Sequence, residues 1–375
     1  MLAAGACLAS GAGFAVGASQ PCERWPAWRH FKEAHLSADG RIIDQGTPAR
    51  VSVSEGQAYA LLFALIARDR SAFERILAWT SDNLAGGDLA QSLPAWQWGR
   101  REDGSWGVLD RNAAADADLW LAYALLEAAR IWHTPAWRAL GSALAARILR
   151  EEVVELPGVG PVLLPAPQGF DNAGGWRLNP SYWPLQVLRG LGTATGEAAW
   201  GRLAASARRL ILWSAPQGLA PDWVLYPRPG SDAARAPADT RGAYAAIRVY
   251  LWAGMLAPAD PDRSALLRAL RPMAARVAAR AYPPEWQDAA SGASGGEGPA
   301  GFSAALVPLL MATGFADAAA AQRRRALRGA AGEEGAPYYG DALRLFGLGW
   351  HDHRYRFARD GRLLLAAEGE CAAAR

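Results

Sequence analysis

The sequence predicts an all-α, single-domain protein whose helices form a double ring, an α/α barrel. Strand signals are scarce along its 375 residues, whereas apolar residues recur at three- and four-residue spacing from end to end. The helical segments fall into pairs, and one member of each pair is much more apolar than the other. No linker or shift of composition divides the chain after residue 22. A generic helical array is the alternative arrangement.

The helical pattern occurs about twelve times, between loops rich in glycine and proline. Segment 116–132 is apolar nearly all round, as expected for a helix packed on both faces, whereas 136–151 has an arginine-bearing face. This alternation predicts an inner and an outer ring, with a site at the mouth formed by the ends of the inner helices. The predicted helices are 24–37, 54–68, 72–84, 116–132, 136–151, 179–190, 197–213, 241–256, 263–280, 300–313, 317–328 and 337–349.

The amino-terminal segment 1–18 predicts a signal peptide, which leaves 19–375 as the folded domain. The first 22 residues carry no charged side chain, and residues 16–18 offer the small residues of a cleavage site. The basic start typical of signal peptides is missing. No later stretch is long and apolar enough to span a membrane. We therefore expect a periplasmic or secreted protein with no membrane span.

Two cysteines remain after such a signal is removed, one near each end of the chain. They are Cys22 and Cys371. In an oxidising compartment an even pair predicts a disulfide, here one that joins the two ends. Two exposed thiols are the alternative.

The composition argues against several classes of function. The formal net charge is +3 and no basic run occurs, so a nucleic-acid partner is not expected. The five histidines and three cysteines form no cluster with metal-ligand spacing, and no glycine-rich loop follows a strand. Neither a metal nor another cofactor is therefore expected. The 17 tryptophans offer flat apolar faces that suit sugar rings, although a helical core also uses tryptophan as filler.

Carboxyl groups in apolar surroundings are the chemical groups that remain. Glu55 follows Ser54, a favourable N-cap, so it is predicted in the first turn of an inner helix. Burial there raises a carboxyl pKa, which suits a general acid, although the helix dipole opposes the shift. A glutamate placed at a helix start by the dipole alone is the other interpretation.

A second acidic motif, Asp116-Ala117-Asp118, opens the most apolar helix. Such a pair can hold a metal on phosphate, or one carboxylate can bond sugar hydroxyls while the other caps the helix. Trp96 and Trp98 lie just upstream in a loop rich in aromatic residues. Carboxyls beside stacking surfaces indicate a carbohydrate ligand, since glycosidic cleavage needs an acid, a base and a surface for the ring.

These motifs and several others occur in the order seen in glycoside hydrolase family 8, which the chain resembles from about residue 22 to its carboxyl end. The similarity is greatest to the endoglucanases encoded with bacterial cellulose synthase. The motifs are Ser54-Glu55-Gly56-Gln57-Ala58-Tyr59, Trp96-Gln97-Trp98-Gly99, Asp116-Ala117-Asp118-Leu119-Trp120, Asn179-Pro180-Ser181-Tyr182, Ala220-Pro221-Asp222-Trp223, Ile247-Arg248-Val249-Tyr250-Leu251-Trp252, Gly301-Phe302-Ser303-Ala304-Ala305 and Tyr338-Tyr339.

The resemblance implies an (α/α)6 barrel that hydrolyses β-1,4-glucan with inversion. It assigns Glu55 as the general acid and Asp116 as the residue that holds and distorts the sugar, a position sometimes called the nucleophile. It also implies cello-oligosaccharides as ligands and the cellulose synthase complex as a candidate partner. Candidate substrate-binding residues are Trp96, Trp98, Trp176, Tyr182, Tyr244, Arg248, Tyr338 and Tyr339.

The chain departs from the family at the general base. The family motif before the Ile-Arg pair contains an aspartate that activates water, and this chain has Ala245 there. Three explanations remain. The aspartate was replaced by alanine deliberately, or the chain is a natural relative with an impaired site, or the base lies on another loop, where Asp239 is the nearest carboxylate. Since losing a general base costs about 10²–10⁴-fold in rate, we expect slow hydrolysis or none, with glucan binding retained. A catalytically silent glucan-binding protein is therefore the alternative function.

Overall fold

The computed structural model describes residues 25–47, 49–230, 240–329 and 337–366. Within these ranges the chain forms twelve α-helices, which confirms the predicted all-α class. The predicted signal peptide and both Cys22 and Cys371 lie outside the described residues. The helices are α1 Pro26–His35, α2 Ser54–Ile66, α3 Arg70–Leu84, α4 Ala115–Trp132, α5 Pro135–Glu151, α6 Leu185–Thr195, α7 Ala198–Ser214, α8 Ile247–Met255, α9 Arg263–Arg280, α10 Ala300–Ala312, α11 Ala316–Arg328 and α12 Tyr338–His351.

The even-numbered helices form the inner ring of an (α/α)6 barrel. Helix α2 packs on α4, α4 on α6, α8 on α10, α10 on α12, and α12 returns to α2. The odd-numbered helices lie outside, and α1 packs on α12, so the first helix of the described ranges covers the last inner one. The inner helices are buried over almost their whole length, as α2, α4 and α10 show best, because both faces meet other helices.

Short strands line the loops between the helices, and all ladders are antiparallel. They form five small sheets in the orders β1-β2-β3, β4-β5, β6-β7-β8, β11-β10-β9 and β12-β13. The strands are β1 Ser52–Val53, β2 Gln97–Arg100, β3 Trp106–Asp110, β4 Val153–Leu156, β5 Gly160–Leu163, β6 Asp171–Asn172, β7 Gly175–Leu178, β8 Val224–Pro227, β9 Arg241–Gly242, β10 Trp286–Asp288, β11 Ser294–Gly295, β12 Tyr355–Phe357 and β13 Leu363–Leu365.

Two predicted helices begin later than the sequence pattern indicates. The segment predicted from residue 179 opens with a 3-10 turn, Pro180–Tyr182, and α6 starts only after Pro184, because proline disfavours helical geometry in the residue before it. The segment predicted from residue 241 first pairs with β10, and α8 starts at Ile247. Both delays leave irregular backbone at the mouth of the barrel.

Aromatic side chains fill the middle of the inner ring. Trp120 lies 5.1 Å from Trp252 and 5.3 Å from Phe346 between ring centroids, and Tyr59 contacts both Trp120 and Phe346 edge-on. These rings come from four different inner helices, so the core joins the ring across its centre. Across the described ranges, no helix combines the length and the apolar character needed to cross a bilayer.

Candidate active site

The first turns of several inner helices meet at one mouth of the barrel. Glu55 opens α2, Asp116 opens α4, Arg248 opens α8, and Tyr338 and Tyr339 open α12. Helix N-termini carry partial positive charge, so this mouth favours carboxylates and other anionic or electron-rich groups. The structure thus brings these candidate residues together at the mouth where the alternation of inner and outer helices predicts a site.

Glu55 is held at the start of α2 by the strand that precedes it. The Ser54 backbone N–H donates to the Trp96 carbonyl at 2.9 Å, and the Trp96 side chain bonds the Glu55 carboxyl. Helix α2 begins at Ser54 with Val53 as the N-cap, so the prediction of Ser54 as the cap is wrong. The hydroxyl of Ser54 makes no capping bond because β1 continues directly into the helix.

Asp116 forms a buried ion pair with Arg248. The Asp116 Oδ2 atom lies 3.1 Å from Arg248 Nη1, and both side chains are less than one-tenth exposed. Arg248 also donates to the Tyr59 hydroxyl and to the Ser181 hydroxyl, each at 2.9 Å. The Ala117 N–H donates to Asp116 Oδ1 at 2.9 Å. This network fixes the Asp116 carboxylate against the floor of the mouth.

The two carboxyls differ in their electrostatic surroundings. Burial and the nearby charge of Asp116 raise the pKa of Glu55 to about 8, and Arg248 and the Trp96 bond oppose this only in part. Burial also raises the pKa of Asp116, but the Arg248 guanidinium acts in the opposite direction and favours the carboxylate. Glu55 is thus protonated at neutral pH beside an ion-paired Asp116, and such a difference separates acid and electrostatic roles.

Ala245 lies in the turn that leads into α8. The Asp222 carboxylate anchors this turn, since its Oδ1 atom accepts from the backbone N–H groups of Ala243, Ala245 and Ala246 at 2.7–3.0 Å. The methyl group of Ala245 cannot accept a proton. Asp222 is the carboxylate bonded to this turn, whereas Asp239, the base candidate suggested by the sequence, lies outside the described residues.

Three of the predicted aromatic residues line the mouth with open ring surface or polar contacts. Trp96 is 38% exposed and Tyr244 is 53% exposed. The Tyr339 hydroxyl donates to the Tyr244 carbonyl at 2.6 Å, which ties α12 to the turn that holds Ala245. Tyr338 is buried, and its ring edge packs close to Gly56.

The other predicted aromatic residues have less free surface. The Trp98 ring stacks on Trp106 at 5.2 Å and carries Arg41 at 4.5 Å from its centroid. Trp176 is 4% exposed and is covered by Arg228 at 4.2 Å, so it has little surface for a sugar.

Tyr182 lies at the floor of the mouth. The Arg248 guanidinium is 5.4 Å from its ring centroid, and burial raises the pKa of its hydroxyl. Its ring lies 6.4 Å from that of Trp223.

Three residues with no role predicted from the sequence complete the network. Tyr59, Ser181 and Asp222 each occur inside a motif quoted above, and each bonds Arg248 or the Ala245 turn. The motifs draw attention to these residues, but a motif does not show which distant residue its members bond. Arg248 bonds Ser181, which is 67 positions away, and Tyr59, which is 189 positions away. Across the described ranges, no three His, Cys, Asp or Glu side chains are grouped so as to hold a metal ion.

A carboxyl with a raised pKa beside an ion-paired one, in a mouth with exposed aromatic rings on an (α/α)6 barrel, is the arrangement expected for a glycosidase. The model of the family described as "Glycosyl hydrolases family 8" matches residues 3–353. The chain belongs to glycosyl hydrolase family 8.

Relatives and a solved structure cover nearly the whole chain. An endoglucanase of Escherichia coli O157:H7 is 45% identical over 348 residues, which are 93% of each chain. An endoglucanase of Xanthomonas axonopodis pv. citri (strain 306) is 46% identical over 94% of this chain and 92% of its own. The crystal structure of an endo-1,4-D-glucanase from Vibrio fischeri ES114 has a TM-score of 0.83 and 40% identity, and the match covers 91% of this chain and 99% of that one.

Proposed function

We propose that this chain has the active site of an inverting endo-1,4-β-glucanase, in which Glu55 is the general acid and Asp116 positions the sugar. The single observation that carries the proposal is the contrast between Glu55 and Asp116. Glu55, whose pKa is raised to about 8, holds a proton at neutral pH, and Asp116 is paired with Arg248. The endoglucanase names of the relatives support glucan as the substrate class.

In this mechanism the Glu55 carboxyl gives its proton to the glycosidic oxygen as the bond to the anomeric carbon breaks. A water molecule attacks that carbon from the opposite face and gives its proton to a base. The Asp116–Arg248 pair binds sugar hydroxyls near the scissile bond and stabilises the positive charge that develops on the ring. The exposed faces of Trp96 and Tyr244 stack on neighbouring rings.

The hydrolysis also needs a general base that activates the attacking water, and this chain has no aspartate at that position. Ala245 stands where the family has the aspartate base, so the unsubstituted chain is expected to bind glucan and to cleave it slowly or not at all. The alternative function, a catalytically silent glucan-binding protein on the same fold, makes the same binding prediction. Turnover separates the two.

The test compares the unsubstituted chain with an Ala245→Asp variant on a soluble cellulose derivative. We expect new reducing ends to form at least about 10²-fold faster with the variant, because the base is restored at the turn that Asp222 anchors. An inactive variant that still binds cello-oligosaccharides contradicts the assignment of the base position. Equal activity of the two proteins shows that another carboxylate acts as the base.

An Asp222→Asn variant of the unsubstituted chain is the matched control for that last outcome. Asparagine retains a side-chain oxygen that can accept the three backbone N–H groups, but it cannot take a proton. Residual activity that disappears in this variant, with the fold intact, identifies Asp222 as the substitute base. A third possible function is a related α/α-barrel activity on xylan or chitosan. Parallel assays of hydrolysis on those two polymers test it.

We further propose that the protein is exported and acts on glucan chains made by a cellulose synthase. The uncharged, apolar segment 1–18 supports export. Mass spectrometry of the protein from a fractionated host tests this, with a mature amino terminus after Ala18 in the periplasmic or extracellular fraction as the expected result. Co-purification with the synthase complex tests the partner.

A further inference from the structure

A pair of carboxyls lies behind the active site, at the junction of α4 and α5. Asp118 is in the first turn of α4, and Glu152 is the residue that ends α5. Both side chains are fully buried at 0% exposure, and they lie within hydrogen-bonding reach of each other. In the described part of the chain, no N–H or O–H group donates a hydrogen bond to any of their four oxygen atoms.

Two neighbouring buried carboxylates cannot both stay ionised, because each is desolvated and each repels the other. One shared proton removes the repulsion and provides the hydrogen bond that the four oxygens otherwise lack. The helix ends decide where the proton is held. Asp118 lies at the positive end of α4, which favours its anion, whereas Glu152 lies at the negative end of α5, which favours its neutral form.

The surrounding charges strengthen this arrangement. The strongest fields at the pair come from carboxyls, namely Asp116 on α4, Glu55 on α2 and Glu151 on α5. Arg248 on α8 neutralises Asp116 at 3.1 Å, and Arg147 bonds Glu151 at 2.6 Å. Burial, the adjacent Asp118 carboxylate and the charges of Asp116 and Glu151 raise the pKa of Glu152 well above its usual range.

The pair also belongs to a closed circuit of bonds around the start of α4. The Leu164 N–H donates to the Glu152 carbonyl at 2.8 Å. The carbonyl of the following residue, Pro165, accepts from the Ala115 N–H at 2.9 Å. A hydrogen bond between the Asp118 and Glu152 carboxyls would close this circuit from the other side. The turn that it encloses carries Asp116.

We propose that Asp118 and Glu152 share one proton, donated by Glu152 to the Asp118 carboxylate, and that this bond positions the first turn of α4 and with it Asp116. Asp118 and Glu152 are thus positioning residues. The effect on glucan rests on the proposed function, whereas the shared proton does not.

The first test measures thermal unfolding as a function of pH. Folded Glu152 keeps a proton that the unfolded chain releases above its ordinary carboxyl pKa, so folding is favoured less as pH rises. Relative to a Glu152→Gln variant, the unfolding constant of the unsubstituted chain should rise by up to roughly tenfold per pH unit as pH increases above the ordinary glutamate pKa of about 4.3. Glutamine donates the same bond without titrating. Parallel pH curves for the two proteins would overturn the shared proton.

Two further variants complete this test. Glu152→Ala leaves the Asp118 anion buried without a donor, and we expect Tm to fall by roughly 5–10 °C near neutral pH. Glu155→Gln, an exposed carboxyl on β4, is the matched control and should leave the pH curve unchanged. A Glu152→Ala variant as stable as the control contradicts the proposal, and the Glu152→Gln comparison decides even if Glu152→Ala fails to fold.

The second test measures positioning through binding of a cello-oligosaccharide, under conditions where every variant is folded. Glu152→Gln should bind as tightly as the unsubstituted chain, and Glu152→Ala should bind at least about tenfold more weakly, because the Asp116 turn loses its tie. Equal affinity of all variants would reduce the pair to a structural role and overturn the positioning claim. If no protein binds, the proposed function fails, while the unfolding curves still decide the shared proton.

Discussion

Glu55 and Asp116 have the same functional group, and their neighbours give them different electrostatic environments. Glu55 is desolvated by burial and feels the charge of Asp116, whereas Arg248 faces Asp116 at 3.1 Å. The first environment retains a proton and the second retains a charge. At this scale the chemistry depends less on residue type than on which helix start faces which partner.

The raised pKa of Glu55 predicts the alkaline limit of activity. In the Ala245→Asp variant, kcat/KM should be maintained up to about pH 8 and then fall tenfold per pH unit, because the general acid must be protonated and its pKa is about 8. Initial rates on a soluble cellulose derivative across the pH range provide the measurement. A Glu55→Gln, Ala245→Asp double variant is the control and should be inactive throughout. A decline that begins at the ordinary glutamate pKa, near about 4.3, would contradict the buried-acid assignment.

Close packing between inner helices depends on glycine at a few positions. A Cβ atom added at Gly347 of α12 would overlap the Ala304 carbonyl oxygen of α10, whereas one added at Gly201 of α7 meets no atom within 4 Å. We therefore expect Gly347→Ala to destabilise the fold by about 1–3 kcal/mol through overpacking.

Gly201→Ala is the matched control, since the same change on an open outer helix should stabilise by about 0.5–1 kcal/mol. Denaturant unfolding of both variants provides the comparison. A neutral Gly347→Ala would show that α10 and α12 separate easily.

Helices were the elements that the sequence could predict, because an inner helix such as α4 shows its apolar pattern over eighteen residues. The strands were not predictable, since pairs such as Ser52–Val53 are too short to show alternation. The same limit applies within the site. The motifs located Glu55 and Asp116, but nothing local to Asp222 predicts that it anchors a turn 21 to 24 residues away.

The helical ring closes where α12 packs against α2, and the predicted Cys22–Cys371 disulfide would join the two ends of the chain. If the bridge forms, the intact mass is lower by two hydrogen atoms and rises on reduction. A bridge over so long a loop stabilises by on the order of 5 kcal/mol in the chain-entropy model, so reduction should lower Tm. Cys22→Ser and Cys371→Ser should each show the reduced Tm without added reductant. An unchanged mass on reduction would establish two free thiols.

Ring closure also determines when, during folding, the Glu55 carboxyl acquires its raised pKa. Tyr338 and Phe346, which pack against the first turns of the helix that carries Glu55, follow Glu55 in the chain by more than 280 residues and are therefore synthesised much later. Until α12 docks, the mouth beside Glu55 is open to water, and its carboxyl has the ordinary acidity of a surface glutamate. A chain in which α12 has not yet docked therefore carries the Glu55 carboxyl without the burial that raises its pKa.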